Sequence, residues 1–302
     1  MNNITEIHVE PTNICTLKCP GCSRTQFIEQ FPSRWKNHSI NPNELMNFID
    51  IDISNITMLL CGVYGDPIYH PDFHNLIRQI KNRQGRVRII TNGSYQKPVW
   101  WEQLVSMLDA KDRIVFSIDG IPDNFTQYRK NANWESIQQA IKIVADSDVY
   151  TVWKYIPFKF NQHNISQAKE LANQLNIDSF FVDPSSRFDE KTEYLIPVST
   201  FIDSKKQLQD NYKQGAGISQ IDPLCAAGDQ HYISADGFYS PCCFAADYRF
   251  YYKTQFGKNR NDYDIRQTTL SQLLKKPNVV SFYENIHSAP PGVCQYNCAK
   301  KS

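Results

Sequence analysis

The sequence predicts an α/β protein built on a partial (β/α)6 barrel, followed by a small C-terminal unit with a β-hairpin and short helices. Strand-like and helix-like stretches alternate from residue 6 to about residue 185, which is typical of a parallel sheet. Right-handed crossovers between parallel strands curl such a sheet toward a barrel. After Pro184 the alternation stops, so the C-terminal part has a different architecture.

Six short stretches rich in β-branched or aromatic residues are the strand candidates. In chain order they are Ile7–Val9, Ile56–Leu60, Val87–Thr91, Ile114–Ile118, Val149–Ile156 and Phe180–Val182. Reacting groups of such folds sit at the carboxyl ends of the strands, so we expect the functional residues to follow these segments.

Helix patterns fill the intervals between the strands, and several begin with a start signal. Pro71 and Ser166 are examples, because both residue types favour the beginning of a helix. The five candidates are Asn43–Ile51, Pro71–Asn82, Pro98–Leu108, Trp134–Val144 and Asn164–Leu175.

The last third of the chain is more irregular. Residues 185–224 are polar, with one helix candidate at Val198–Asp210. Asp236-Gly237 lies between two short strand patterns, which is a hairpin signal. Residues 245–268 read as a loop. Two short helix candidates follow near Leu270–Leu274 and Val280–Ile286.

These patterns divide the chain into two domains, at residues 1–195 and 196–302. The 32 Lys and Arg nearly cancel the 31 Asp and Glu, leaving a net charge of +1. With no global field to attract polyanions, we expect neither a nucleic-acid nor a membrane partner. No apolar run approaches the roughly 18 residues of a membrane span, and no secretory signal is visible. We therefore expect a soluble, cytoplasmic protein.

The nine cysteines are the most informative residues. Their odd number and the absence of a secretory signal argue against a disulfide framework. Three lie near the N-terminus and five in the last 78 residues, which indicates metal binding rather than disulfide bridges.

The N-terminal cysteines form the motif C-x3-C-x2-C directly after the first strand candidate, with Cys15, Cys19 and Cys22. Three thiolates within eight residues can surround one iron–sulfur centre from a loop. They leave a [4Fe–4S] cluster one ligand short, and the open iron can chelate a small molecule. The alternative is zinc, which would need a fourth ligand. The candidates for that ligand are His8, His38 and Cys61.

This motif resembles that of the radical S-adenosylmethionine (SAM) superfamily, and the next strand ends agree with the resemblance. Tyr64-Gly65-Asp66-Pro67 is similar to the family's Gly-Gly-Glu-Pro motif after strand two. Thr91-Asn92-Gly93 ends the third strand candidate, and Ser117-Ile118-Asp119-Gly120 ends the fourth. Tyr128-Arg129 follows at a familiar offset. The resemblance covers about residues 5–185.

The resemblance implies a cofactor and a reaction. SAM would bind the open iron of a [4Fe–4S] cluster through its amino and carboxylate groups. One electron would then cleave it reductively, and the resulting 5′-deoxyadenosyl radical would abstract a hydrogen atom from a polar substrate. Flavodoxin or ferredoxin would supply the electron.

The resemblance also assigns SAM-binding roles. Asp66, with the Gly65 backbone, would accept from the SAM ammonium, while Ser117 and Lys154 would contact the ribose and the carboxylate. The other expected rim residues are Thr91, Asn92 and Asp119. Two of the residues with assigned roles also have a purely structural explanation. Asp66 could cap a turn, and Asn92 begins an Asn-Gly turn sequence.

Two positions depart from the family pattern. Gly21 stands before the third cysteine, where an aromatic residue is usual, so adenine packing must come from elsewhere. Asp66 replaces the usual Glu and is one methylene shorter, so a backbone shift would be needed to reach the same ammonium.

A second cysteine group lies in the C-terminal domain. Cys225-x11-Gly237-x4-Cys242, followed by Cys294-x3-Cys298, resembles the auxiliary-cluster domain called Twitch, a shortened SPASM domain. The resemblance implies that these four cysteines hold a second, auxiliary [4Fe–4S] cluster. Zinc bound by the same four thiolates is the alternative.

Cys242 and Cys243 are neighbours at a strand end, where successive side chains point to opposite faces. The Gly-x4-Cys spacing favours Cys242 as the ligand. Cys243 is then a buried bystander, the ligand in place of Cys242, or a thiol that faces the substrate. Twitch-containing radical SAM epimerases resemble this layout and use such a cysteine as hydrogen-atom donor, so Cys243 is the catalytic candidate.

Several functions remain open from the sequence. An epimerase would return a hydrogen atom from Cys243, whereas a dehydrogenase or a peptide-modifying enzyme would use the auxiliary cluster as electron acceptor. The substrate is a small molecule or a peptide. A zinc-stabilised, non-enzymatic binding protein is the more remote alternative. Residues 248–260 interleave aromatic and basic side chains, which predicts either a ligand-binding segment or a loop folded over the cluster.

Overall fold

A computed structural model describes residues 4–186, 188–203, 205–215, 220–223, 225 and 230–300. These residues form an eight-stranded sheet covered by helices. The strands are β1 (Glu6–Val9), β2 (Thr57–Leu60), β3 (Arg86–Thr91), β4 (Arg113–Ser117), β5 (Tyr150–Tyr155), β6 (Ser179–Val182), β7 (Gln230–Ile233) and β8 (Tyr239–Ser240).

The sheet has the order β6-β5-β4-β3-β2-β1-β7-β8. All neighbours are parallel except β7 and β8, which form an antiparallel hairpin. The six successive parallel strands confirm the predicted α/β partial barrel. The hairpin extends that sheet, because Val9 of β1 is paired with Leu60 of β2 on one side and Ile233 of β7 on the other.

Helices cover the sheet and continue into the C-terminal part. They are α1 (Ser23–Gln30), α2 (Pro42–Phe48), α3 (Phe73–Asn82), α4 (Pro98–Val105), α5 (Trp134–Ala145), α6 (Ile165–Gln174), α7 (Lys205–Lys213), α8 (Cys243–Ala246), α9 (Tyr248–Tyr251), α10 (Gln255–Lys258), α11 (Leu270–Leu273), α12 (Pro277–Asn285) and α13 (Gly292–Asn297). Short 3-10 helices lie at Pro32–Arg34, Pro67–Tyr69, Phe125–Gln127, Gln162–Asn164, Glu190–Leu195, Ser199–Phe201 and Arg260–Tyr263.

Alternation along the strands separates the core from the site. Val9, Leu60 and Ile89 are fully buried and belong to one hydrophobic cluster with helix residues such as Leu76. The neighbouring positions on each strand point to the opposite face of the sheet. That face, together with the loops at the carboxyl ends, carries the polar residues described below.

The hairpin turn needs a glycine. Gly237 has φ of +84°, and its N–H donates to the carbonyl of Ser234 (2.9 Å). A residue with a Cβ is strained in this backbone conformation, which explains the Asp-Gly hairpin signal in the sequence.

Three predictions about helices were wrong. Helix α1 was missed because only Ser23 of its residues is buried, so its sequence lacks an apolar face. The candidate at Val198–Asp210 lies later, at α7. The expected loop at residues 245–268 contains helices α9 and α10, whose four residues each are too few to show a helical period.

Among the described residues, we find no helix with both the length and the apolar character that a membrane crossing requires.

Candidate functional site

The three N-terminal cysteines lie on the loop that joins β1 to α1. Cys15 Sγ accepts from the backbone N–H of Leu17 (3.4 Å), and the N–H of Cys22 donates to the carbonyl of Cys19 (3.1 Å). Burial and the neighbouring acidic groups, which include the other two thiols, raise the pKa of Cys15 to about 12. The pKa of Cys19 is likewise raised to about 12, mainly by burial. The structure therefore places the three predicted ligands near one another, and the raised pKa values of Cys15 and Cys19 mean that these two thiols must lose their protons to bind iron.

Asp66 organises the ends of the next two strands. Its carboxylate accepts from Thr91 Oγ1 (2.7 Å), from the N–H (2.6 Å) and Nδ2 (2.5 Å) of Asn92, and from the N–H of Ile68 (3.3 Å). Burial is the main cause that raises its pKa. These four donors match the four acceptor positions of a carboxylate. An ammonium ligand would therefore have to displace one of them.

Asn92 links this carboxylate to the cysteine loop, because its Nδ2 also lies 3.8 Å from Cys15 Sγ. Gly65, just before Asp66, packs so closely against the cysteine loop that a Cβ would lie 1.9 Å from the carbonyl oxygen of Thr12. The turn after β2 and the cysteine loop are therefore in direct contact.

Asp119 is fully buried and its oxygens are engaged within the protein. They accept from Arg129 Nε (2.6 Å) and from the backbone N–H of Ile156 (2.9 Å). Arg129 also hydrogen-bonds Cys19, and its charge acts to lower the pKa of that thiol. Asp119 thus holds Arg129 beside the cysteine loop, and its own charge also acts to raise the pKa of Cys19.

Ser117 and Lys154 are paired across β4 and β5. Lys154 Nζ forms an ion pair with Asp183 Oδ2 (2.5 Å), and both side chains are partly exposed. The predicted carboxylate-binding lysine therefore already has an anionic partner, which an anionic ligand would have to replace or share.

Four C-terminal cysteines share one small hydrophobic core, where they pack with residues such as Ile221 and Val293. They are Cys225, Cys242, Cys294 and Cys298. A thiol hydrogen bond joins the first two and raises the pKa of Cys225. Burial, followed by the charge of Cys242, raises the pKa of Cys294 to about 12.

Cys243 lies outside that core and interacts electrostatically with Tyr232 of β7. The two neighbouring cysteines therefore have different surroundings, although neither lies in a strand as predicted: Cys242 is an extended residue after β8, and Cys243 begins α8. Cys242 is with the other three thiols, and Cys243 is on the side of Tyr232.

Both sets of cysteines, the three N-terminal ones and the four C-terminal ones, fit iron–sulfur ligation by their chemistry, since thiolates are the usual ligands of such clusters. As the described side chains stand, no group of three or more His, Cys, Asp or Glu is arranged to hold a metal ion. Of the zinc ligands considered, His8 is engaged elsewhere: its Nε2 lies 2.7 Å from the carbonyl oxygen of Cys61. Burial lowers the pKa of His8 to about 4.

The contacts around Glu10 could not be predicted from the sequence. Its carboxylate accepts from the N–H groups of Tyr64 and Gly65 and from the hydroxyl of Tyr232. Glu10 directly follows β1, but its partner Tyr232 is 222 residues away in the chain. Only the pairing of β7 with β1 brings the two side chains together.

A cavity of about 270 Å³ opens between residues 27–38 and the C-terminal part. Glu10 and Ser240 belong to its wall, and Arg34 and Lys36 are exposed cations on its lining. Aromatic side chains make up much of the remainder: Phe27, Trp35, Tyr64, Tyr232, Phe238, Tyr239, Tyr248, Tyr251 and Tyr252. The aromatic and basic residues 248–260 therefore contribute to a cavity wall.

The comparisons with known proteins agree with this geometry. The sequence model of the radical SAM superfamily matches residues 9–175. The fold is similar to anSMEcpe with bound AdoMet (TM-score 0.63, 14% identity, covering 97% of this chain and 89% of that chain). It is also similar to Streptococcus suis SuiB bound to precursor peptide SuiA (TM-score 0.63, 15% identity, covering 98% of this chain and 71% of that chain).

A curated relative is the tungsten-containing aldehyde ferredoxin oxidoreductase cofactor-modifying protein of Pyrococcus furiosus. It is 24% identical over 120 residues, which are 38% of this chain and 31% of that protein. The match thus spans under a third of the relative's length. Because the superfamily model covers more than half of the sequence, this chain belongs to the radical SAM superfamily, which uses a [4Fe–4S] cluster and S-adenosylmethionine.

Proposed function

We propose that this protein uses SAM to break a C–H bond of a polar substrate. One observation carries the proposal: the turn after β2 and the loop bearing Cys15, Cys19 and Cys22 are in contact, and Asn92 touches both Cys15 and Asp66. A [4Fe–4S] cluster held by these cysteines would, together with SAM, supply reductive cleavage of the sulfonium and hydrogen-atom abstraction.

The protein's own residues hold and orient these groups. The three cysteines ligate the cluster, and Arg129 places a positive charge beside Cys19, which offsets the negative charge of the thiolates. Asp66 fixes Asn92 and Thr91 at the SAM-binding rim. Ser117 and Lys154 are the candidates for the ribose and the carboxylate, with Lys154 exchanging its contact to Asp183. Flavodoxin or ferredoxin is the expected electron donor.

We further propose that residues 196–302 form an auxiliary-cluster domain of the Twitch type. The convergence of four thiols in one core supports this assignment. Cys243 lies apart from them, near Tyr232, which supports its assignment as the hydrogen-atom donor of an epimerase.

Peptide modification is the second candidate. The similar fold of SuiB, solved with a precursor peptide, favours it, and the auxiliary cluster would then accept an electron from the substrate. The mass of the product separates epimerisation from an oxidation that passes an electron to the auxiliary cluster, because epimerisation leaves the mass unchanged and the oxidation, which removes one hydrogen atom, one electron and one proton, lowers it by two hydrogens.

Anaerobic reconstitution tests the shared part of both functions. The reduced protein is expected to release 5′-deoxyadenosine from SAM, and the Cys15→Ser variant is expected to release none above background. Cys61→Ser is the matched control and should retain the release. A protein with a complete N-terminal cluster that released no 5′-deoxyadenosine would contradict the proposal.

A further inference from the structure

Glu10 is a buried carboxylate on which three donors converge from two other elements. Its Oε1 accepts from the backbone N–H groups of Tyr64 (2.6 Å) and Gly65 (3.0 Å). Its Oε2 accepts from the Tyr232 hydroxyl (2.8 Å), and the residue is only 1% exposed. Glu10 thus connects the end of β1 with the turn after β2 and with β7.

The environment of Glu10 disfavours its charge. Burial, and to a smaller extent Asp236, raise its pKa to about 7, although its three donors act in the opposite direction. Tyr64 and Tyr232 are titratable residues that contact Glu10. The charge of Cys243 in turn acts to raise the pKa of Tyr232. The charged or titratable groups that line the same cavity are Arg34, Lys36, His38, Asp236, Tyr239, Tyr248, Tyr251, Tyr252 and Arg260.

A buried carboxylate that is held by neutral donors costs stability when it ionises, so stability does not explain its presence. Such perturbed groups are candidates for functional roles when geometry supports them. Here the geometry is specific, because the two backbone donors immediately precede Asp66.

We propose that Glu10 is a positioning residue for SAM: its carboxylate holds the Tyr64–Gly65 backbone in the conformation that presents Asp66 and the adjoining rim to the cofactor. This inference rests on the proposed SAM site. In its ionised form both oxygens accept freely, so the turn is held most firmly. Protonation weakens the acceptor and loosens the turn.

The same contacts tie the SAM-binding turn to the C-terminal part. Tyr232 reaches Glu10 from β7, and its ring packs edge-on against His8 (4.9 Å between centroids). On the other side, the Tyr64 hydroxyl donates to the carbonyl of Ala246 (3.3 Å) and accepts from the N–H of Tyr248 (2.6 Å). The turn is therefore held between two segments that flank Cys242 in sequence.

The test is the dissociation constant of SAM between pH 6 and pH 8, measured by equilibrium dialysis on anaerobically reconstituted protein whose iron and sulfide content is also determined. The SAM amino group itself titrates near pH 8, so the variants rather than the wild-type profile alone carry the test. Glu10→Gln keeps the shape of the side chain but cannot ionise. Glu29→Gln, at an exposed position of α1, is the matched control.

We expect Glu10→Gln to bind SAM about three- to tenfold more weakly than wild type at pH 8 and about equally at pH 6. Tyr232→Phe removes a donor that lowers the pKa of Glu10, so this pKa should be higher in the variant than in wild type. As the pH falls, the affinity of the variant for SAM should therefore begin to decline at a higher pH than that of wild type. Glu29→Gln should follow wild type throughout. Iron content should stay unchanged in all variants, which separates positioning from loss of the cluster.

A Glu10→Gln variant with wild-type affinity across this pH range would overturn the inference and leave the proposed function intact. A wild-type protein that carries its cluster but does not bind SAM would instead contradict the proposed function. Loss of iron in Glu10→Gln would assign the residue to cluster assembly and would also overturn the positioning role.

Discussion

At the scale of single residues, Arg129 and Asp119 form an ion pair beside Cys19 that is among the most buried in the described structure. The Asp119 side chain is fully buried and that of Arg129 is 17% exposed, with 2.6 Å between the two charged groups. Removing one partner of such a pair leaves an uncompensated buried charge. The pair is therefore both a structural support of the cysteine loop and the nearest source of positive charge for it.

Arg129→Gln is expected to destabilise the protein by about 3 kcal/mol, because Asp119 would remain buried without its cation. Chemical denaturation of the reconstituted protein measures this free energy. Arg88→Gln is the matched control, since its pair with Glu6 is 38% exposed on the arginine side and should contribute less than about 1 kcal/mol. Equal effects of the two substitutions would contradict the prediction.

Cys243 gives a second prediction at this scale. If its thiol returns a hydrogen atom to the substrate, product formed in deuterated buffer contains one solvent deuterium. Cys243→Ala should still consume SAM but form no epimerised product. Mass spectrometry checks both results, and undiminished product from Cys243→Ala would remove this residue from the mechanism.

Glu10 makes folding stability depend on pH. Its folded-state pKa of about 7 exceeds the ordinary value of 4.5, so the folded protein binds the proton more tightly than the unfolded chain. Stability from this group is therefore full below about pH 4.5 and is lost as the pH rises to about 7. Between pH 6 and pH 8 wild type should lose about 1 kcal/mol relative to Glu10→Gln. A difference that does not change with pH would disprove this assignment.

At the scale of elements, the turn after β2 depends on a glycine. Gly65→Ala would place a methyl group against the backbone of Thr12, which cannot move without shifting the cysteine loop. We expect this variant to lose SAM binding and part of its iron. Gly215→Ala is the control: its φ is +87°, but no atom of the residues that the structure describes lies within 4 Å of the added carbon. It should cost about 1 kcal/mol of stability and leave iron content unchanged.

Elements with a regular period could be predicted, and irregular ones could not. The six barrel strands and helices α3 to α6 follow from alternation and start signals, since each buries one patterned face. The contact of Cys15 with Asn92 could be predicted only in general terms, because the carboxyl ends of the parallel strands β1 and β3 lie at the same edge of the sheet. Helix α1, the short helices α8 to α10 and the pairing of β7 with β1 have no local signal. The partners of Glu10 were missed for the same reason.

At the scale of the whole molecule, the two sets of cysteines predict how much iron the protein binds. Reconstituted wild type should hold about eight iron atoms per chain if both are [4Fe–4S] sites. Cys294→Ser should reduce this to about four while cleavage of SAM is retained, and Cys19→Ser should reduce iron similarly while abolishing cleavage. Iron and sulfide assays with electron paramagnetic resonance measure this. Zinc in the C-terminal site would contradict the auxiliary-cluster assignment.

The pairing of β7 with β1 has a consequence for biosynthesis. The first strand begins at residue 6, yet one of its two neighbours begins at residue 230. While the ribosome is still translating the middle of the chain, β1 presents an unprotected hydrogen-bonding edge of the kind that promotes association between nascent chains. Maturation of the cysteine loop next to that edge is therefore expected to be completed late, after the hairpin has docked.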